Sequence, residues 1–279
     1  MKIHPYARIR GGQDGAFWGK YLFRMDTRGL CQVYDGEQLS FQSEPITSFV
    51  LDRADQLAPH SNAVMFGMVD SEAEFPLFYT NIYNNYAKMA DPLNGVCCVY
   101  RLRKQEENFC SSLVQLIQIG FTNTSLWSSR NGDVRPYGNF TIDREKGILY
   151  AFTMRDESQT SRYFAFSLPK AEQGEMDAVH GVRKVVLTEE DILFRFDCPY
   201  HRFLQGACCH NGVIYSVEGF TGDPVNVPAL RRIDPVEKKQ DLLYLFGDAG
   251  LTVEPEMIDF YKGVCHYSDA EGNVYTLEF

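Results

Sequence analysis

Apolar residues in this chain come in short strings, broken by glycine, proline, asparagine or clustered charge. Ile148-Leu149-Tyr150-Ala151-Phe152-Thr153-Met154 follows the turn-forming stretch Asp143-Arg144-Glu145-Lys146-Gly147 and predicts a strand. Tyr163-Phe164-Ala165-Phe166-Ser167-Leu168 predicts another, stopped by Pro169. Val213-Ile214-Tyr215-Ser216-Val217-Glu218 follows Asn211-Gly212, a strong hairpin signal because both turn positions tolerate positive φ. Residues 273–279 form a strand after Gly272, and residues 113–119 a less cleanly alternating one. Helical periodicity is scarce. Its best candidate is 171–193, which contains the cap-like Thr188-Glu189-Glu190-Asp191, but Gly174 and Gly181 limit it to one or two turns.

The strands recur in a unit: a polar, Gly- or Pro-containing corner, a short strand, a glycine turn, then an aromatic strand. Corners fall at Asp14, Asn62, Asn139, Gly206 and Glu256, spaced 48, 77, 67 and 50 residues apart. Four-stranded blades take about 40–50 residues, so five units with two insertions account for the chain. The expected fold is all-β, a five-bladed β-propeller forming a single domain over 1–279, with a sixth blade as an alternative in the 77-residue interval. After Glu256 there is room for about three strands, and the lone extended segment 2–9 is available as the fourth. Pairing the N-terminal segment with the C-terminal blade closes the ring and removes an open sheet edge.

Composition fits this picture and narrows function. Phe (20), Tyr (16), Gly (22) and Pro (12) favour strands and turns. A formal charge of −10 and the absence of a basic cluster longer than Arg101, Arg103 and Lys104 exclude an electrostatic nucleic-acid binder. No apolar stretch is long enough for a transmembrane helix. The first ten residues lack the apolar segment of a secretory signal. The eight cysteines show no zinc spacing, and the vicinal pairs Cys97-Cys98 and Cys208-Cys209 would point to opposite faces of a strand. Free, buried thiols and no leader fit a cytoplasmic protein; an extracellular one is expected if a leader has been removed.

The segment Gln205-Gly206-Ala207-Cys208-Cys209-His210-Asn211-Gly212-Val213-Ile214-Tyr215 with Gly219, then Glu254-Pro255-Glu256, then Gly272-Asn273-Val274-Tyr275, resembles the last blades of five-bladed propellers of the helveticin J, teichoic-acid-biosynthesis-C and phage receptor-binding group. That group carries a Gln-Gly strand, a Gly-turn-Ile-Tyr strand and a Glu-x-Glu-Gly corner. The likeness covers roughly residues 200–279 and departs at Met257, where the group has glycine. It implies a cell-surface glycan or wall-polymer ligand, which the missing leader and the free thiols do not favour.

In a propeller the first strand of each blade lines the central channel. The corners then place Gln13, His60, Asn62, Tyr137, Asn139 and Gln205 around one funnel as candidate ligand-binding residues. Amides give directional hydrogen bonds to hydroxyls and a tyrosine ring offers a face to a sugar. Each residue alone is equally explained by hydrogen bonds to loop backbone; the recurrence of one polar class at five corners is not. Asp14, Glu254 and Glu256 are the acids at the corners, and a glycosidase needs two carboxyls at about 5–5.5 or 6.5–9.5 Å. Three functions therefore stand: non-catalytic binding of a carbohydrate or other small polar ligand; glycoside hydrolysis with Glu256 as acid, Asp14 as base and Glu254 beside them; and a protein-interaction scaffold. Tyr79, Tyr83 and Tyr86 form a second aromatic cluster, readable as a sugar-stacking loop or as packing between blades. His60 alone is more simply a polar residue than a metal ligand, Asp70, Glu72 and Glu74 lack calcium-loop spacing, and Asn123 and Asn139 match the glycosylation sequon, the second accidentally because it falls on an expected inner strand. No metal, cofactor or oligomeric state is indicated.

Overall fold

The computed structural model describes residues 1–57, 59–69, 73–82, 96–121, 135–155, 160–199 and 204–279, apart from the side chains of 135–138, 154 and 155. The chain is a five-bladed β-propeller. Blade 1 is β2 (Gly15–Trp18), β3 (Tyr21–Met25), β4 (Leu30–Asp35) and β5 (Thr47–Val50). Blade 2 is β6 (Val64–Phe66), β7 (Phe78–Ile82), β8 (Val96–Gln105) and β9 (Asn108–Ile119). Blade 3 is β10 (Arg135–Asp143), β11 (Ile148–Arg155), β12 (Thr160–Ser167) and β15 (Ile192–Pro199). Blade 4 is β16 (Leu204–His210), β17 (Val213–Glu218), β18 (Ala229–Asp234) and β19 (Lys239–Leu245). Blade 5 is β20 (Pro255–Tyr261), β21 (Val264–Asp269) and β22 (Asn273–Glu278), completed by β1 (Lys2–Arg8) from the other end of the chain.

That closure is antiparallel, from Lys2 opposite Glu278 to Arg8 opposite Asn273. Gly272 makes the tight approach possible. Its φ is +87°, and a Cβ there would collide with the Ile9 carbonyl oxygen. Ala7 and Ile9 then pack with Phe17, Leu22, Tyr34, Met257 and Val274, welding blade 5 to blade 1.

Within the interval that left room for a sixth blade, the described strands β6 to β9 belong to blade 2. The second insertion holds the chief surprise. Residues 171–193, the best helical candidate, form instead a hairpin of β13 (Glu175–Asp177) and β14 (Val182–Leu187). It leaves blade 3 between β12 and β15 and adds to blade 2, with β14 parallel to β9. Val182 and Leu187 are buried, and the exposed edge of β9 offered a better partner than water for their backbone groups. Only the single turn at 189–191 is helical, and there the Asp191 carboxylate accepts from the Thr188 amide and hydroxyl at 2.7 and 2.9 Å.

The core is five apolar clusters, one between each pair of neighbouring blades among the described residues. Aromatics dominate the blade 1–2 seam, where Phe23 meets Phe66, Phe75 and Phe109 edge-on at ring distances of 5.3–5.9 Å. Cys97 and Cys98 fall in different clusters, on opposite faces of β8.

Candidate functional site

Three inner strands break register at their first residues. Pairing slips between Pro136 and Asn139 in β10, between Leu204 and Ala207 in β16, and between Pro255 and Met257 in β20. A bulge leaves a residue outside the ladder and re-aims its side chain. Here it frees Gln205 and Glu256, whose side chains bond to other blades instead of standing in their own strand's alternation.

The result is a belt of hydrogen bonds around the channel neck. Gln13 Nε2 donates to Glu256 Oε1 at 3.1 Å, joining blades 1 and 5. Asp14 Oδ2 accepts from the Val64 amide at 2.8 Å, joining blades 1 and 2. Asn81 Nδ2 donates to Asn139 Oδ1 at 3.3 Å, joining blades 2 and 3. Asn139 Nδ2 donates to the Leu204 and Gln205 carbonyls at 2.9 and 3.2 Å, joining blades 3 and 4. Gln205 Nε2 donates to Glu254 Oε1 at 2.5 Å, joining blades 4 and 5. Asn62 Nδ2 donates to Gln205 Oε1 at 2.8 Å, a crossbar between the non-adjacent blades 2 and 4. That crossbar ties the inner strands of the two blades across the channel.

The sequence candidates separate by depth. Asp14, Asn62, Asn139, Gln205 and Glu256 are buried, whereas Gln13, His60 and Glu254 are half-buried. Tyr137 lies on β10, with its side chain outside the described residues. Tyr83, Tyr86, Asp70, Glu72 and Asn123 also lie outside them. Tyr79 is buried and lines a cavity of about 210 Å³ with Phe75 and Leu77, away from the channel. Among the described residues, no group of three or more His, Cys, Asp or Glu could hold a metal ion.

Two contributors escaped the corner reading because they sit on second strands. Arg24 on β3 is fully buried and donates from Nη2 to the Gly12 and Asp269 carbonyls, each at 3.1 Å. Asn81 on β7 accepts from the Ala63 amide at 3.0 Å while bonding Asn139. Their signal was a charge and an amide inside the apolar runs 21–25 and 78–82.

The electrostatics follow from burial. Burial pushes the Asp14 carboxyl well above the usual carboxylate range, against the pull of its amide bonds and of Arg24. Burial does the same to Glu256, reinforced by the charge of Glu254. Glu254 is pushed up to about 7 by burial, opposed by its bond from Gln205. Glu254 is thus the corner acid that both reaches solvent and titrates near neutrality. Gly206 lets these groups approach one another. A Cβ there would stand 2.5 Å from the Glu256 carbonyl oxygen and 2.9 Å from Asp14 Oδ1.

No family model and no curated protein matches the sequence. Among solved structures, the chain is similar to glutaminyl cyclase from Myxococcus xanthus, with a TM-score of 0.49 and 10% identity over 100% of this chain and 94% of that one. It is also similar to BamB from Moraxella catarrhalis (TM-score 0.38, 8% identity, 97% and 58% covered) and to the Dos1 propeller (0.40, 11%, 95% and 59%). Likeness at this level concerns the propeller fold and carries no chemistry. No helix among the described residues is long and apolar enough to cross a membrane.

Proposed function

We propose that the funnel above the Asn62–Gln205 crossbar binds a small polyhydroxylated ligand, a carbohydrate in the first instance, without turning it over. The observation that carries this reading is the belt itself. Five blades each contribute a polar side chain to the neck, held by partners on other blades. Such mutual bonding fixes rotamers in advance, so a ligand meets groups already oriented and little ordering entropy is lost on binding. Gln13, Glu254 and His60 would make the contacts, and Asp14, Asn62, Asn139, Gln205 and Glu256 would brace them. The likeness of residues 200–279 to wall-polymer and receptor-binding propellers points to the same ligand class.

A glycan array probed with the wild-type chain and with Glu256→Gln tests this. Retention of a defined glycan subset by the wild type, weakened in the variant, is the expected result; no retention of any glycan contradicts it.

Glycoside hydrolysis remains a second reading because of Glu254. A half-buried carboxyl titrating at about 7 holds a proton near neutral pH, as a general acid must. Asp14 suits the base role poorly, since it is fully buried and burial favours its neutral form. Release of aryl alcohol from a panel of aryl glycosides, lost in Glu254→Gln, would select this reading over simple binding.

A further inference from the structure

We propose that the ligand of this funnel carries a protonated amine, as an amino sugar or another amine-bearing polyol does, and that Glu254 receives the ammonium group with Gln13 and Glu256 behind it. The inference rests on the funnel being a polar-ligand site and specifies the charge of what enters.

Each amide NH₂ traced in the belt makes at least one bond to protein, and those of Gln13, Asn62 and Asn81 keep a second N–H. Gln13 donates to Glu256, Asn62 to Gln205, Asn81 to Asn139, Asn139 to two carbonyls, and Gln205 to Glu254. Four belt oxygens are left with no partner at all. Gln13 Oε1, Asp14 Oδ1, Asn62 Oδ1 and Glu256 Oε2 are buried and have no protein partner. Asn62 and Glu256 are 3% and 2% exposed, so these oxygens have been taken from bulk water without a replacement donor. The donor atoms with no partner at the neck are Arg24 Nε and Nη1 and the Tyr267 hydroxyl, and both residues are fully buried. A ligand at the mouth therefore meets the half-buried Glu254 carboxyl and Gln13 amide first. A hydroxyl supplies one donor and an ammonium three, with a charge that carboxylates complement.

Charge agrees with the inventory. Asp14, Glu254 and Glu256 stand at the neck against one guanidinium, Arg24. The other titratable groups packed around them do not change the balance. Asp259 and Asp269 are occupied by backbone amides, Phe17 and Phe260 for the first and Glu271 and Asn273 for the second. The Tyr34 hydroxyl accepts from the Arg10 amide at 3.1 Å and donates to Gln32 Oε1 at 3.2 Å. Tyr267 is held neutral by burial, and His60 stands at the mouth. The Arg24 charge beside Asp14 and Glu256 disfavours a divalent metal at the same place, whereas a single ammonium at Glu254 keeps its distance from the guanidinium by sitting on the solvent side. Burial disfavours the ionised form of each of these carboxyls when the funnel is empty, and an arriving ammonium favours the ionised form of Glu254.

The test compares 1-amino-1-deoxyglucitol with glucitol, which differ by one ammonium group, in saturation-transfer NMR titrations of the full chain. The amine is expected to bind at least about tenfold tighter than the neutral polyol at pH 8. Because Glu254 must be ionised, that advantage should fall at least about tenfold between pH 8 and pH 5 in the wild-type chain, while glucitol stays flat. Glu254→Gln should abolish the difference between the two probes; the wild-type pH series keeps the test valid if that variant folds poorly. Equal affinities, or an amine advantage that survives at pH 5, overturn the amine inference. If neutral glycans are retained on the array while the amine shows no advantage, this inference alone fails. If nothing binds in either experiment, the polar-ligand reading fails with it.

Discussion

Gly206 shows how one missing side chain shapes the neck. Its backbone lies against the Glu256 carbonyl and Asp14 Oδ1, so Gly206→Ala forces two blades apart. A loss of about 2 kcal/mol or more is expected in urea denaturation, because well-packed backbone has little room to relax. Arg24→Leu is a sharper case. It removes the cation beside Asp14 and Glu256 and leaves buried carboxyls without compensation, costing about 3–5 kcal/mol at pH 8. The cost should shrink as pH falls, because burial raises both acids above the usual carboxylate range and protonation removes the uncompensated charge. Glu254 sets a pH dependence with a definite sign. An unfolded glutamate titrates near 4.5 and this one at about 7, so between those values the folded state binds more protons. Its contribution to stability therefore falls as pH rises through that window. Thermal melts from pH 5 to pH 8 should show a smaller decline in Glu254→Gln than in the wild type, the slope being moderate because the group is half solvated.

Elements carry the closure and the insertion. Deleting residues 1–9 leaves the β22 edge unpaired and strips Ala7 and Ile9 from the blade 5–1 seam. The melting midpoint should drop by roughly 10 °C, and the open edge should make aggregation concentration-dependent. The β13–β14 hairpin tells the opposite story for sequence reading. The closing strand was visible because residues 2–9 had nothing else to pair with and blade 5 lacked a strand. The hairpin was not, because its partner β9 belongs to another blade, and local periodicity holds no information about a parallel pairing across some seventy residues. Leu187, buried between hairpin and blades 2–3, anchors it. Leu187→Ala should cost about 2–5 kcal/mol in urea denaturation and detach the hairpin first.

At the scale of the whole molecule, five polar corners closing into one belt is the fact that matters for function. The corner residues were legible because propeller blades repeat, so Asp14, Asn62, Asn139, Gly206 and Glu256 could be aligned by spacing, with Gln205 beside the fourth. Which of them face solvent was not legible. Depth depends on the crossbar from Asn62 to Gln205 and on the bulges that turn Gln205 and Glu256 inward, and both are products of tertiary closure. Arg24 and Asn81 escaped for the related reason that second-strand residues reach the neck only where the first strand is short. The most direct measurement is amide hydrogen exchange of the full chain with and without the glycan retained on the array. The account predicts slowed exchange concentrated at 12–15, 60–64, 204–207 and 253–257, the starts of inner strands from four different blades. Protection confined to outer strands or to the β13–β14 hairpin, or no change at a concentration that saturates the array signal, would contradict it.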